Sequence, residues 1–415
     1  MIFTMGASRA EIDVELAVLP KEIVDVSREI YPPREVIIAV VGLACLPIGL
    51  LWDISHHSTI GRDTFWTPAH ILIQLGGIIP ASIFGWLALK TTFFGSSSDR
   101  AGSVRFCGAR APFGAWITMW GCLMMLTSAP FDDWWHNTYG LDVKIESPPH
   151  AVLGFGMLGV ALGVIVFVFS WQNRTIGRQQ RSVALFCALA AGVILTLSAD
   201  FLTEKTFPNQ HRSGEFYKAT SAIFPFVLVM AARASVLRWP ATIAAAFYML
   251  ILMLVIWILP LFPAQPKLAP IYHKVDHMVP PAFPMLLILP ALLIDLIMQW
   301  TTKGCGGWAN QTSGIRRFVA KAGIVLAGAS VFLIIFLAVQ WHFSAFLMSD
   351  WADNWFFARE GKWPYWVEPG EWMTTYWTER ETPVNAFNLL HSWINAVIAS
   401  AIGFAFGGFL LKVRR

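Results

Sequence analysis

The sequence has little charge: Asp, Glu, Lys and Arg supply 13% of its 415 residues. Soluble domains carry roughly 25%, so a solvated globular domain is excluded as the main architecture. Cysteine is scarce as well. Cys45, Cys122 and Cys187 fall inside apolar runs, while Cys107 and Cys305 fall in basic loops. Neither a disulfide on an oxidising face nor a CxxC thiolate metal site is expected from them. No phosphate-binding glycine pattern surrounds Gly304 to Gly307, which reads as a turn. Residues 1–35 contain no apolar h-region, so the first membrane helix is expected to act as its own insertion signal. Within them, Glu11 to Ile30 reads either as an amphipathic helix on the membrane surface or as disordered chain.

What the chain does have is apolar surface: 56% of its residues are hydrophobic, with 20 Trp and 31 Phe. That composition belongs in a bilayer, where aromatic rings collect at the headgroup layers. The net charge of +4 therefore points to orientation and not to nucleic acid. Apolar runs able to cross about 30 Å of hydrocarbon begin near Glu35, Pro68, Pro112, Pro149, Ser182, Ala219, Ala241, Pro280, Phe318 and Asn388. The expected fold is all-α: a polytopic transmembrane helical bundle of about ten spans in five hairpins. Three regions follow: a 1–35 amino-terminal segment, a 36–171 four-helix unit, and a 172–415 six-helix region with a Trp-rich loop at 343–387.

Of the basic residues in the connections, 19 fall on the side of the two termini and 10 on the other. The positive-inside rule makes both termini cytoplasmic. All ten histidines, at 56, 57, 70, 136, 150, 211, 273, 277, 342 and 391, then lie in outward loops or at outward helix ends. Two equal faces would give that distribution by chance about once in 500 cases.

Two outward loops repeat one pattern. Superposing His57 on His136 also aligns Asp53 with Asp132, Gly61 with Gly140 and Asp63 with Asp142, and brings His70 within one position of His150. A carboxylate and an imidazole four residues apart share one face of a helix end. Pro68 suits the first turn of the next helix and brings His70 onto it. Each copy thus offers two imidazoles and one carboxylate with open coordination positions: Asp53, His57 and His70, then Asp132, His136 and His150. Such a set suits copper or non-haem iron, with zinc as a further option. The bland alternative is that acidic and His residues at helix ends face water or pair with one another.

The first segment, D-x3-H-x12-H with the intervening R-D-T-x-x-T-P-x-H of Arg62 to His70, resembles the C subunit of the particulate methane and ammonia monooxygenases. That family's next outward loop has an Asn, a His four later and a His fourteen beyond, offsets that fall here on Asp132, His136 and His150. The resemblance covers roughly residues 36–171 and implies a copper site at each triad, near the outer face of a plasma membrane. It further implies oxidation of a small apolar substrate with O2, an external electron donor and partner subunits. The chain departs from the family in having Asp132 for Asn and about six further spans. A copper-binding or copper-delivering membrane protein without turnover, or a non-catalytic subunit of an oxidase complex, is the alternative reading.

Later outward loops echo the pattern without the triad. One has Asp200, Glu204, His211 and Glu215, another His273, Asp276 and His277, for which loop capping competes with a further metal pair. The fifth loop, with Trp351, Trp355, Trp363, Trp366, Trp372 and Trp377, reads as a lid or a docking surface. A transporter would need ionisable groups at mid-bilayer, and Asp295 is the sole candidate noted.

Overall fold

The computed structural model describes residues 31–61, 66–140, 147–205, 207–272, 274–303, 314–358, 364–367 and 384–414, without the side chains of Glu204, Asn209, Thr302 and Lys303. The Glu11 to Ile30 segment, Asp63, Asp142, His273, Cys305 and the turn at Gly304 to Gly307 therefore lie outside the described residues. So do Trp363, Trp372 and Trp377.

The chain is a multi-pass integral membrane protein and its fold is all-α. In chain order the helices are α1 (Arg34–Thr59), α2 (Pro68–Phe94), the short α3 (Ser97–Ala101), α4 (Phe113–Tyr139), α5 (Pro148–Gln172) and α6 (Gly177–Asp200). After them come α7 (Gly214–Ala234), α8 (Pro240–Ile258), α9 (Ile288–Met298), α10 (Gly314–Leu347) and α11 (Ala386–Leu410). A small hairpin, β1 (Val104–Phe106) with β2 (Ala109–Ala111), joins α3 to α4. Its two-residue turn places Cys107 and Gly108 at φ 46° and 84°, the left-handed pair that matches strand twist.

Eight of these helices are long and apolar enough to cross a membrane. Helix α4 has 27 residues but ends in the polar sequence D-D-W-W-H-N-T-Y. The expected span from Pro280 needs correcting, because its helix begins only at Ile288 and has 11 residues. Prolines at 280, 281, 284 and 290 explain the delay: each lacks an N–H and restricts the residue before it.

Helices meet closely where side chains are smallest. A Cβ on Gly121 of α4 would lie 2.6 Å from the Val160 backbone nitrogen of α5. One on Gly156 would lie 2.7 Å from Met125. Such glycines let two backbones approach in a setting where the lipid gives no hydrophobic drive to associate. Helices α1 and α2 pack in the same way, with Gly42 against Pro80 and Gly49 against Ile73.

The chain from Met278 to Leu287 is not helical, yet most of it is buried. Its backbone must find partners inside the protein, and side chains from three helices supply them. Ser55 of α1 donates to the Val279 carbonyl, and Thr59 accepts the Val279 N–H at 2.7 Å. The Tyr248 hydroxyl of α8 accepts from Met285 N–H at 3.1 Å, and Gln340 Oε1 of α10 from Leu286 N–H at 2.9 Å. Gln340 Nε2 in turn lies 2.9 Å from His211 Nδ1, so the amide is held at both ends.

Asp295, the mid-bilayer acid of the sequence, has a structural role. It is 1% exposed and accepts from the backbone N–H groups of Ala241 and Thr242 and from the Thr242 hydroxyl. The carboxylate caps the start of α8, where unpaired N–H groups and the helix dipole favour negative charge.

Replacing Gln340 by Leu leaves the Leu286 N–H and His211 Nδ1 without this partner inside the bundle. The Gln340→Leu protein is expected to lose about 1–3 kcal/mol for each orphaned group, read as a lower thermal midpoint in detergent. An unchanged midpoint would show that the segment does not depend on the glutamine.

Candidate metal centre

Each triad forms where one helix of a hairpin ends and its partner begins. Asp53 and His57 lie on the last two turns of α1, and His70 lies on the first turn of α2. Asp132 and His136 end α4 in the same manner, with His150 on the first turn of α5. The local chemistry of the second helix is repeated too. Thr67-Pro68-Ala69-His70 and Ser147-Pro148-Pro149-His150 each place a hydroxyl cap, a proline in the first turn and the histidine three residues after the cap. The capping hydroxyl accepts the N–H of that histidine in both.

The first helix of each pair ends on a glycine with positive φ, Gly61 at 99° and Gly140 at 83°. Gly140 has ψ −171°, a backbone region open almost only to glycine. The chain reverses there, which turns the next helix back against the first.

The structure brings all three residues of each triad together. Asp53 Oδ2 lies 3.7 Å from His57 Nε2, and Asp53 Oδ1 lies 3.2 Å from His70 Nε2. The second copy repeats the assignment oxygen for oxygen: Asp132 Oδ2 to His136 Nε2 at 3.4 Å, and Oδ1 to His150 Nε2 at 3.8 Å. The one-position offset between His70 and His150 is taken up in the loops, since both histidines occupy the same place relative to their caps.

Second contacts orient the rings of the second triad. His136 Nδ1 lies 3.2 Å from the Gly140 carbonyl oxygen, which can only accept, so the proton sits on Nδ1. A neutral ring then aims the Nε2 lone pair at the Asp132 carboxylate. Two acceptors 3.4 Å apart repel unless a proton or a metal cation lies between them. His150 Nδ1 meets the Ser147 hydroxyl at 2.8 Å, which leaves its Nε2 on the same carboxylate. A metal-bound imidazole is usually held by such a partner on its other nitrogen.

Among the described residues no group of three or more His, Cys, Asp or Glu side chains is closed tightly enough to hold a metal ion as it stands. In each triad the two imidazoles meet different oxygens of the carboxylate. The donor chemistry nevertheless fits. Two ligand atoms about 2.1 Å from one ion and at about 100° to each other lie about 3.2 Å apart, and the triads stand at 3.2 to 3.8 Å. A turn of the carboxylate would close either set.

The surroundings of the two triads differ. Beyond His57, the Tyr365 N–H donates to the Ser58 carbonyl and the Lys267 N–H to that of Ile60. The Tyr272 N–H donates to Tyr365, so the fourth and fifth loops roof the end of α1. None of the described residues lies within 4 Å of the Cβ position at Gly140. Trp351 and Trp355 of the fifth loop are exposed, and Trp355 packs edge-on against Trp257 of α8. His277 forms an exposed pair with Asp276 at 2.8 Å, and this hydrogen bond holds the Asp276 carboxyl below its ordinary range.

No protein-family model, curated protein or solved structure matches the chain.

The two glycines separate backbone strain from crowding. Gly140→Ala is expected to cost about 1–3 kcal/mol from its conformation alone. Gly61→Ala should cost more, since its new Cβ would also stand 2.5 Å from the Tyr365 hydroxyl. Thermal unfolding of both variants tests this, and a reversed order would remove the Tyr365 contact from the account.

Proposed function

We propose that the chain is a copper-dependent membrane protein of the monooxygenase type, with one metal ion held by Asp53, His57 and His70 and another by Asp132, His136 and His150. The observation that carries this reading is the repeated triad, each carboxylate set between two Nε2 atoms at 3.2–3.8 Å. Chance pairing of polar helix ends gives no reason for two copies to agree in caps, turn glycines and oxygen assignment. Copper is the proposed metal, with iron or zinc as the alternatives that the same ligands accept. When bound, copper would supply redox chemistry towards O2, with electrons from an external donor and a small apolar compound as substrate. The chain's own part is to hold the ligands, fix the His136 tautomer through Gly140 and present the sites at a lipid-facing bundle end where apolar molecules concentrate.

A second reading, copper holding or delivery without turnover, draws on exposure. The His57 side chain is 47% exposed and His150 35%, so neither site is enclosed. Oxygen uptake that depends on an apolar substrate would decide between the two.

Metal analysis of the purified protein, with electron paramagnetic resonance, tests the sites directly. His57→Ala and His136→Ala are each expected to lower bound metal by up to about one equivalent with near-normal expression, as surface-side changes cost about 0.5 kcal/mol or less. His56→Ala is the control, since its side chain points about 100° away around the helix and belongs to neither triad. Equal behaviour of His56→Ala and His57→Ala would end the assignment.

Orientation is tested separately. The uneven basic residues support an outward orientation of the triads, which on this proposal lie at the outer face of a bacterial or archaeal plasma membrane. A cysteine introduced at Trp66, exposed between α1 and α2, should then react with an impermeant reagent on intact cells. Labelling of Cys107 in its place would invert the topology.

A further inference from the structure

Asp200, the last residue of α6, is 7% exposed, and among the described residues neither of its buried carboxylate oxygens has a hydrogen-bond partner. Asp295, at 1% exposed, is buried more deeply but accepts three hydrogen bonds, so burial by itself does not dictate this isolation. Helix α6 packs against α1, α5, α7 and α8. Among the described residues no charged side chain from these helices acts on Asp200, and Tyr248 of α8 is the titratable group within its electrostatic reach. The Tyr248 hydroxyl is itself tied to the non-helical segment, accepting from Met285 N–H.

An ionised carboxylate offers only acceptors and here receives no donor, in surroundings that penalise charge. The protonated acid removes the charge and gains a donor. Phe201, the next residue, is 51% exposed, so the carboxyl stands one residue from the surface at the end of the bundle. We propose that Asp200 is a proton-binding site of the membrane domain, neutral at rest and exchanging its proton with water at the bundle end. In the step the carboxyl O–H bond breaks, the proton passes to water and a carboxylate remains, and the reverse reloads it. This site shares no residue with either triad and does not depend on their metal.

Infrared spectroscopy of the full-length protein in lipid nanodiscs reads the protonated carboxyl directly. At neutral pH the wild type should show its carbonyl stretch, the band should shift in deuterium oxide, and Asp200→Asn should abolish it while Asp295→Asn leaves it. Should Asp200→Asn fail to fold, Asp200→Glu is expected to move the band. Absence of the band in the wild type at neutral pH would overturn the proposal, as it would if a sodium ion neutralised the carboxylate. A band that persists in Asp200→Asn, or that never shifts in deuterium oxide, would overturn it equally.

Discussion

Inside a bilayer no water is at hand for a backbone N–H or C=O, and each group left unpaired costs several kcal/mol. Regular helices meet that demand internally. The segment from Met278 to Leu287 does not, and its position explains a set of otherwise scattered side chains. Ser55, Thr59, Tyr248 and Gln340 come from three helices and converge on Val279, Met285 and Leu286. Two of them, Ser55 and Thr59, lie on α1 beside Asp53 and His57. The end of α1 therefore faces two ways, with Asp53 and His57 of the first triad on one side and anchors for the irregular segment on the other.

That double duty ties the first hairpin to the rest of the bundle. Through Val279 the first triad's helix is bonded to the segment leading into α9, and through Ser58 and Ile60 it is bonded to the later loops. The second hairpin has the same caps, turn glycine and carboxylate between imidazoles, yet none of the described residues stands within 4 Å of a Cβ at Gly140. Two hairpins built alike thus differ in how their turns are held. Neither triad is enclosed, since His57 is 47% exposed and His150 35%.

Much of this was legible in the sequence because it depends on local chemistry. Thr67-Pro68 and Ser147-Pro148 mark helix starts by the cap and the fixed proline φ, and the spacings of four from Asp53 to His57 and Asp132 to His136 follow from the helix turn. The apolar runs located the helices because length and composition decide what crosses a bilayer. What escaped was non-local. The run from Pro280 is apolar enough to read as a span, and only its prolines signalled the delayed helix. Asp295 looked like a mid-bilayer acid, and its role as a cap for α8 appears only once the two helices are side by side. Asp200 and His211 read as members of an outward loop, whereas tertiary packing buries both.

Charge accounting separates the buried acids from those of the triads. Asp295 accepts hydrogen bonds from backbone donors at a helix start, where the helix dipole favours negative charge. Asp53 and Asp132 each face two imidazoles. A ring N–H aimed at the carboxylate holds such a pair together, and a metal ion could take the place of that proton. The Gly140 carbonyl shifts that choice for His136: with Nδ1 already committed as a donor, protonating Nε2 requires a full imidazolium, whereas a metal needs only the neutral ring. The turn that closes the hairpin thereby fixes the ring that faces Asp132.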